Sequence, residues 1–147
     1  MFKHILVPVD GSIFSINAAR KAVELAETLG SKITLLHVIS QSHLAGVGHP
    51  QSMYIITDSM VEVLKSGADK VLEETLEAIN PTSVEIKTEI GWGTPSIVII
   101  DKTKEDNCDL IIMGNRGLGV VSGLLLGGVS SRVIKIAPCP VMIIKDN

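Results

Sequence analysis

The sequence predicts an α/β fold built on a parallel sheet, and three observations predict it. Five short runs rich in β-branched or aliphatic residues, at 5–9, 33–38, 84–90, 110–113 and 141–144, alternate with segments of helical periodicity. That alternation is the signature of strands joined by crossover helices. Hydrophobic residues make up 46% of the chain but aromatics only 3%, so the core must be aliphatic, as in buried parallel strands. At 147 residues the chain is expected to form one domain, 1–147, large enough to bury most of its apolar surface in a single core.

The first run ends in Asp10-Gly11-Ser12, a turn that also supplies a helix cap. Ile16, Ala19, Val23, Ala26 and Leu29 then recur at helical spacing until Gly30 stops them. After the second strand, residues 40–58 are rich in Gly, Ser and His and longer than an ordinary connection, so a mobile loop is expected there. Val61, Leu64, Ala68, Val71, Leu72, Thr75, Leu76 and Ile79 form a second helical stripe that Asn80-Pro81 terminates. Trp92, between Gly91 and Gly93, is read as closing the third strand, and Thr94-Pro95 offers an N-cap and first-turn proline for a helix through about Thr103. The last helix is expected from Val129 or Ser130 through Ile136, ending before Pro138-Cys139-Pro140 because two prolines forbid its continuation. Residues 140–145 follow as the final strand.

Several function classes are disfavoured. The net charge is −3, from 13 basic and 16 acidic residues, and without a basic tract or interleaved aromatics no nucleic-acid partner is expected. Cys108 and Cys139 form no C-x-x-C, which points to neither a disulfide framework nor a zinc site and makes a reducing, cytoplasmic setting the expectation. The opening Met1-Phe2-Lys3-His4-Ile5-Leu6-Val7-Pro8 has no signal-peptide pattern, and the longest Gly/apolar stretch, 117–129, contains Ser122 and is too short to cross a membrane. The four histidines, at 4, 37, 43 and 49, show no metal-ligand spacing, so no metal site is assigned. No nucleophile, base and orienting group stand in a recognisable pattern, and no catalytic residue is assigned.

The informative stretch is 114–128, Gly-Asn-Arg-Gly-Leu-Gly-Val-Val-Ser-Gly-Leu-Leu-Leu-Gly-Gly, with glycines at 114, 117, 119, 123, 127 and 128 directly after Leu110-Ile111-Ile112-Met113. Glycine permits close backbone approach and positive φ, so successive N–H groups can converge, and the helix opening near Ser130-Ser131 adds its first amides. The reading is a phosphate cradle. It fits neither G-x-x-x-x-G-K-(S/T) nor G-x-G-x-x-G. Ligands of open parallel sheets bind beyond the strands' carboxyl ends, which selects Pro8, Val38 and Met113 as an apolar slot, with one carboxylate at Asp10 and the glycine loop opposite. That combination suits a purine on a ribose with a phosphate tail.

These residues resemble the ATP-binding branch of the universal stress protein family, whose pattern G-x2-G-x9-G-(S/T) is matched in spacing by Gly114, Gly117 and Gly127. The Pro8-Val9-Asp10-Gly11-Ser12 opening, the Leu35-Leu36-His37-Val38 strand and the Pro138-Cys139-Pro140-Val141 entry look like the same family, so the resemblance covers nearly the whole chain outside 40–58. It implies a Rossmann-like open sheet of five parallel strands in the order 3-2-1-4-5 with helices on both faces. It also implies ATP with Mg2+ as ligand: Asp10 and Val38 beside the adenine, Met113 and Gly114 by the ribose, and Gly117, Gly127, Gly128, Val129 and Ser130 around the phosphates. A homodimer through strand 140–145 is implied in addition.

The sequence departs from the pattern at Gly128, where the family carries a hydroxyl. Loss of one hydrogen bond to a charged phosphate weakens binding by about 1.5–3 kcal/mol, recoverable in part if Ser130 or Ser131 reaches in. Arg116 is a further candidate phosphate contact. The expected function is a nucleotide-dependent binding or signalling module, at most a slow ATPase. The alternatives are an interaction protein of the same fold with an empty cleft and a nucleotide-hydrolysing enzyme.

Overall fold

The computed structural model describes residues 1–40, 57–81, 83–118 and 125–146. Its five strands are β1 (His4–Pro8), β2 (Lys32–Ile39), β3 (Ile86–Trp92), β4 (Leu110–Gly114) and β5 (Val141–Ile144). They form one sheet in the order β3-β2-β1-β4-β5, and every pairing is parallel. The expected fold class is thus the observed one.

Successive strand residues point to opposite faces, and in the central strands both faces are covered. Ile5, Val7, Leu35 and Ile112 pack on α1 (Ile13–Leu29) and α2 (Asp58–Ile79). Leu6, Leu36, Val38, Ile111 and Met113 pack on α3 (Pro95–Glu105) and α4 (Gly128–Ile136). This is why the strands read as continuous apolar runs rather than as alternating ones. Helix α1 presents Ala18, Ala19, Ala22 and Ala26, all buried, so its axis can lie close to the sheet.

Caps set the helix boundaries. Ser12 Oγ accepts the Ser15 N–H at 3.2 Å, and Gly30 closes α1 in the left-handed region at φ 69°. Helix α2 begins at Asp58, a turn before the expected stripe, because Thr57 Oγ1 accepts the Met60 N–H. The rest of the proposed 40–58 loop, 41–56, lies outside the described residues. Asn80 ends α2 at φ 40° ahead of Pro81. Thr94 precedes α3 with Pro95 in the first turn but makes no side-chain cap bond. Strand β3 starts and ends two residues later than expected, because its register with β2 runs from Ile33↔Ile86 to Ile39↔Trp92. Trp92 is therefore its last residue.

Candidate functional site

Strands β1 and β4 are neighbours whose chains leave in opposite directions, β1 to α1 on one face and β4 to α4 on the other, which opens a crevice at their carboxyl ends. A cavity of about 400 Å3 occupies it. Each residue assigned to the binding site from the sequence lines this cavity: Pro8 at the end of β1, Asp10 after it, Val38 of β2, Met113 and Gly114 of β4, Arg116 and Gly117 beyond it, and Gly127, Gly128, Val129 and Ser130 where α4 starts; Ser131 does not line it. Pro95 and Ile99 of α3, together with Ser15, His37, Ser40 and Leu118, also line it and were not foreseen. Val38, Ile99 and Met113 belong to one buried cluster, so one wall of the cavity is apolar.

The opposite end is rich in amides. Helix α4 begins at Gly128 with Gly127 as N-cap, slightly ahead of the expected start. Its first intrahelical bond runs from Ser131 N–H to the Gly127 carbonyl at 3.0 Å, so the Gly128, Val129 and Ser130 amides have no acceptor among the described residues. Unpaired N–H groups at a helix N-terminus are suited to an anion. The loop is pinned behind them, with Gly127 N–H donating to the Asn115 carbonyl at 2.7 Å and Asn115 Nδ2 donating to Leu125 O at 3.3 Å. An Asn just after a strand, beside glycines, is the kind of loop staple that sequence reading could have named.

Two expectations about this loop need correction. The sequence reading allowed its glycines positive φ, but among the described residues the positive-φ glycines are Gly11, Gly30 and Gly93, and none is Gly114, Gly117, Gly127 or Gly128; Gly119 and Gly123 lie outside the described residues. At Gly114 and Gly117 the requirement is steric. A Cβ on Gly114 would stand 2.9 Å from the Phe14 backbone carbon and oxygen, so Gly114 lets α1 approach β4. A Cβ on Gly117 would collide with Asp10 Oδ2. The second correction concerns Ser130, whose hydroxyl is buried and donates to the Gly114 carbonyl at 2.9 Å. That proton is engaged, so Ser130 offers its backbone amide but no side-chain replacement for the hydroxyl missing at Gly128. A Cβ at Gly128 itself would meet nothing within 4 Å.

Asp10 spans the crevice mouth. Its Oδ1 accepts the Ser12 N–H at 2.9 Å and its Oδ2 the Leu118 N–H at 3.1 Å, joining the β1 turn to the glycine loop. Arg116 lays its guanidinium over the Phe14 ring, 5.3 Å from the centroid. Its Nε is buried and has no hydrogen-bond partner among the described residues.

Of the remaining candidates, the described histidines and cysteines are tied into the fold. His37 Nδ1 lies 2.8 Å from the Val9 carbonyl and His4 Nδ1 3.2 Å from that of Asp106; a carbonyl only accepts, so both rings donate from Nδ1. His43 and His49 fall outside the described residues. Burial, reinforced by the Asp106 charge, pushes the Cys108 thiol up to about 12, and burial also raises Cys139, so neither is an activated nucleophile. Among the described residues no group of three or more His, Cys, Asp or Glu is placed to hold a metal, and no helix is long and apolar enough to cross a membrane.

The model of the universal stress protein family matches residues 1–145. The chain belongs to that family. It is 32% identical over 145 residues to universal stress protein MJ0531 of Methanocaldococcus jannaschii, spanning 99% of this chain and 83% of the relative. It is 33% identical over 150 residues to universal stress protein YxiE of Bacillus subtilis, spanning 99% and 100%. Among solved structures, hypothetical protein MJ0577 superposes with a TM-score of 0.83 at 26% identity, covering 100% of this chain and 98% of that one. Two further structures show the fold: a universal stress protein in complex with cAMP (TM-score 0.73, 21% identity, 97% of each chain) and the Archaeoglobus fulgidus protein in complex with dAMP (0.63, 19%, 99% and 98%).

Proposed function

We propose that this chain binds an adenine nucleotide, ATP with Mg2+, in the β1/β4 crevice and acts as a nucleotide-dependent binding or signalling module of the cytoplasm. The observation that carries the reading is the pairing of an apolar wall, Val38, Ile99 and Met113, with three amides at the start of α4 that have no acceptor among the described residues, across one cavity. A base needs the first and a phosphate the second. The family relatives solved with cAMP and dAMP support an adenylate. Among the described residues Asp10 is the one carboxylate lining the cavity, so Mg2+ would arrive on the phosphates and keep most of its waters. It would supply charge neutralisation there.

Binding is favoured over turnover by the state of Asp10. Both its oxygens already accept backbone amides, so it is not poised as a base toward an attacking water. The empty-cleft reading draws on Gly128, whose missing hydroxyl lowers affinity by about tenfold to a hundredfold. Calorimetric titration with ATP, AMP and GTP, with and without Mg2+, separates these readings. Heat from the adenine nucleotides with little from GTP is expected, and no heat at millimolar ATP from folded protein overturns the reading.

The same reading includes a homodimer through β5. This strand lies at the sheet edge, Met142 is 39% exposed, and Ile134 and Ile136 of α4 are exposed too. An apolar edge of this kind is usually covered or paired. Sedimentation should report a dimer that Met142→Asp shifts toward monomer; a monomer in the unaltered protein removes the dimer from the account.

A further inference from the structure

We infer that Arg116 sorts ligands by the length of their phosphate chain, favouring nucleoside di- and triphosphates over monophosphates. The inference rests on the nucleotide reading above and deepens it. Among the side chains lining the cavity, the permanent charges are one carboxylate, Asp10, and one guanidinium, Arg116. The first phosphate is served by the Gly128, Val129 and Ser130 amides, which have no other acceptor among the described residues. Among the described residues no further side chain at that helix end serves a second or third: Gly128 has none, the Ser130 hydroxyl is turned onto the Gly114 carbonyl, and Ser131 does not line the cavity. A longer chain brings more negative charge to a spot where the amides are already in use.

The position and state of Arg116 suit it to that added charge. It stands two residues beyond β4, and its Cα lies 3.6 Å from where a Cβ on Gly127 would stand, so it adjoins the α4 amides without being part of the helix. Its guanidinium rests on Phe14 of α1, 5.3 Å from the ring centroid, on the face of the sheet opposite α4. Among the described residues it forms no ion pair, and its Nε donor lacks an acceptor there. An aromatic face holds a guanidinium less strongly than a phosphate does, because the phosphate brings full opposite charge and paired acceptors. Asp10, lying against Gly117, repels phosphates that drift toward the β1 turn. A chain leaving the α4 amides is therefore drawn toward Arg116, and Phe14 keeps that side chain close until a distal phosphate takes it.

The test is the ratio of affinities for ATP and AMP, measured by calorimetry on the full chain and on Arg116→Gln, Arg116→Lys and Phe14→Leu, with melting curves confirming that each is folded. The unaltered protein is expected to favour ATP by about tenfold to a hundredfold. In Arg116→Gln the ratio should fall to within about threefold, and Arg116→Lys should recover part of it, since a point charge replaces a fork. Phe14→Leu should keep the preference, because the cation remains. An ATP-to-AMP ratio unchanged in Arg116→Gln, or an equal loss for both ligands, overturns the role of Arg116 while leaving nucleotide binding intact. If the unaltered protein binds no nucleotide, the inference and the reading it rests on fall together.

Discussion

Gly114 separates two explanations of a glycine beside a ligand cavity: room for the ligand, or room for the fold. In Gly114→Ala the new Cβ stands 2.9 Å from Phe14 C and O and 3.0 Å from Phe14 Cβ, where ordinary contact begins near 3.4 Å. The obstacles are mainly backbone atoms of the first turn of α1, so relief requires that helix to shift. Overpacking of this kind costs about 1–3 kcal/mol. Alanine returns roughly 0.4–1 kcal/mol by restricting the unfolded chain, and since Gly114 is not at positive φ no backbone strain is added. At the middle of both ranges the net loss is about 1.3 kcal/mol, or roughly 3–5 °C in Tm for a domain of this size. Thermal denaturation without nucleotide is the assay, with Gly128→Ala as the control at a position where nothing lies within 4 Å. An unchanged Tm in Gly114→Ala, with nucleotide affinity alone reduced, would refute the steric argument.

Three further outcomes are expected. Gly128→Ser places a hydroxyl in open space at the start of α4 and should tighten nucleotide binding by about 1.5–3 kcal/mol, read by calorimetry; unchanged affinity would mean that no phosphate sits there. Asp10→Asn keeps an acceptor for Ser12 but can present a donor to the Leu118 N–H, so amide exchange at Leu118 should accelerate, and unaltered exchange would deny the clasp. Burial pushes the Asp109 carboxyl upward, but the Lys3 and His4 backbone N–H groups it accepts outweigh this and hold it below its ordinary 3.8. With the folded value depressed, that stabilisation is fully present above the unfolded value and is lost as pH falls through the folded one. Asp109→Asn should accordingly lower Tm at neutral pH and converge on the unaltered protein in strong acid; a constant gap at all pH values would contradict it.

Strand identity and the crevice were legible in the sequence because both follow from local signals: apolar runs, caps, and the rule that ligands sit beyond strand ends. The boundaries of β3 were less so, since its register with β2 and not its own propensity decides where it ends. The roles of individual loop residues were legible only in part. Gly114 faces Phe14 and Gly117 faces Asp10, each about a hundred positions away in the chain, so composition reports that a small residue is needed there but not what it makes room for. Ser130 is a similar case. Its place at a helix start was readable, whereas its hydroxyl bond to Gly114 depends on how α4 docks beside β4. Pro95 and Ile99 escaped notice because their contribution requires knowing that α3 crosses to the face on which Val38 and Met113 point.

The most direct test of nucleotide binding in the crevice is an amide NMR titration of the protein with Mg-ATP. Binding in this crevice predicts the largest shifts at Gly117, Gly127, Gly128, Val129 and Ser130, accompanied by Val38 and Met113. Shifts confined to other surfaces, or none at millimolar ligand, would contradict it.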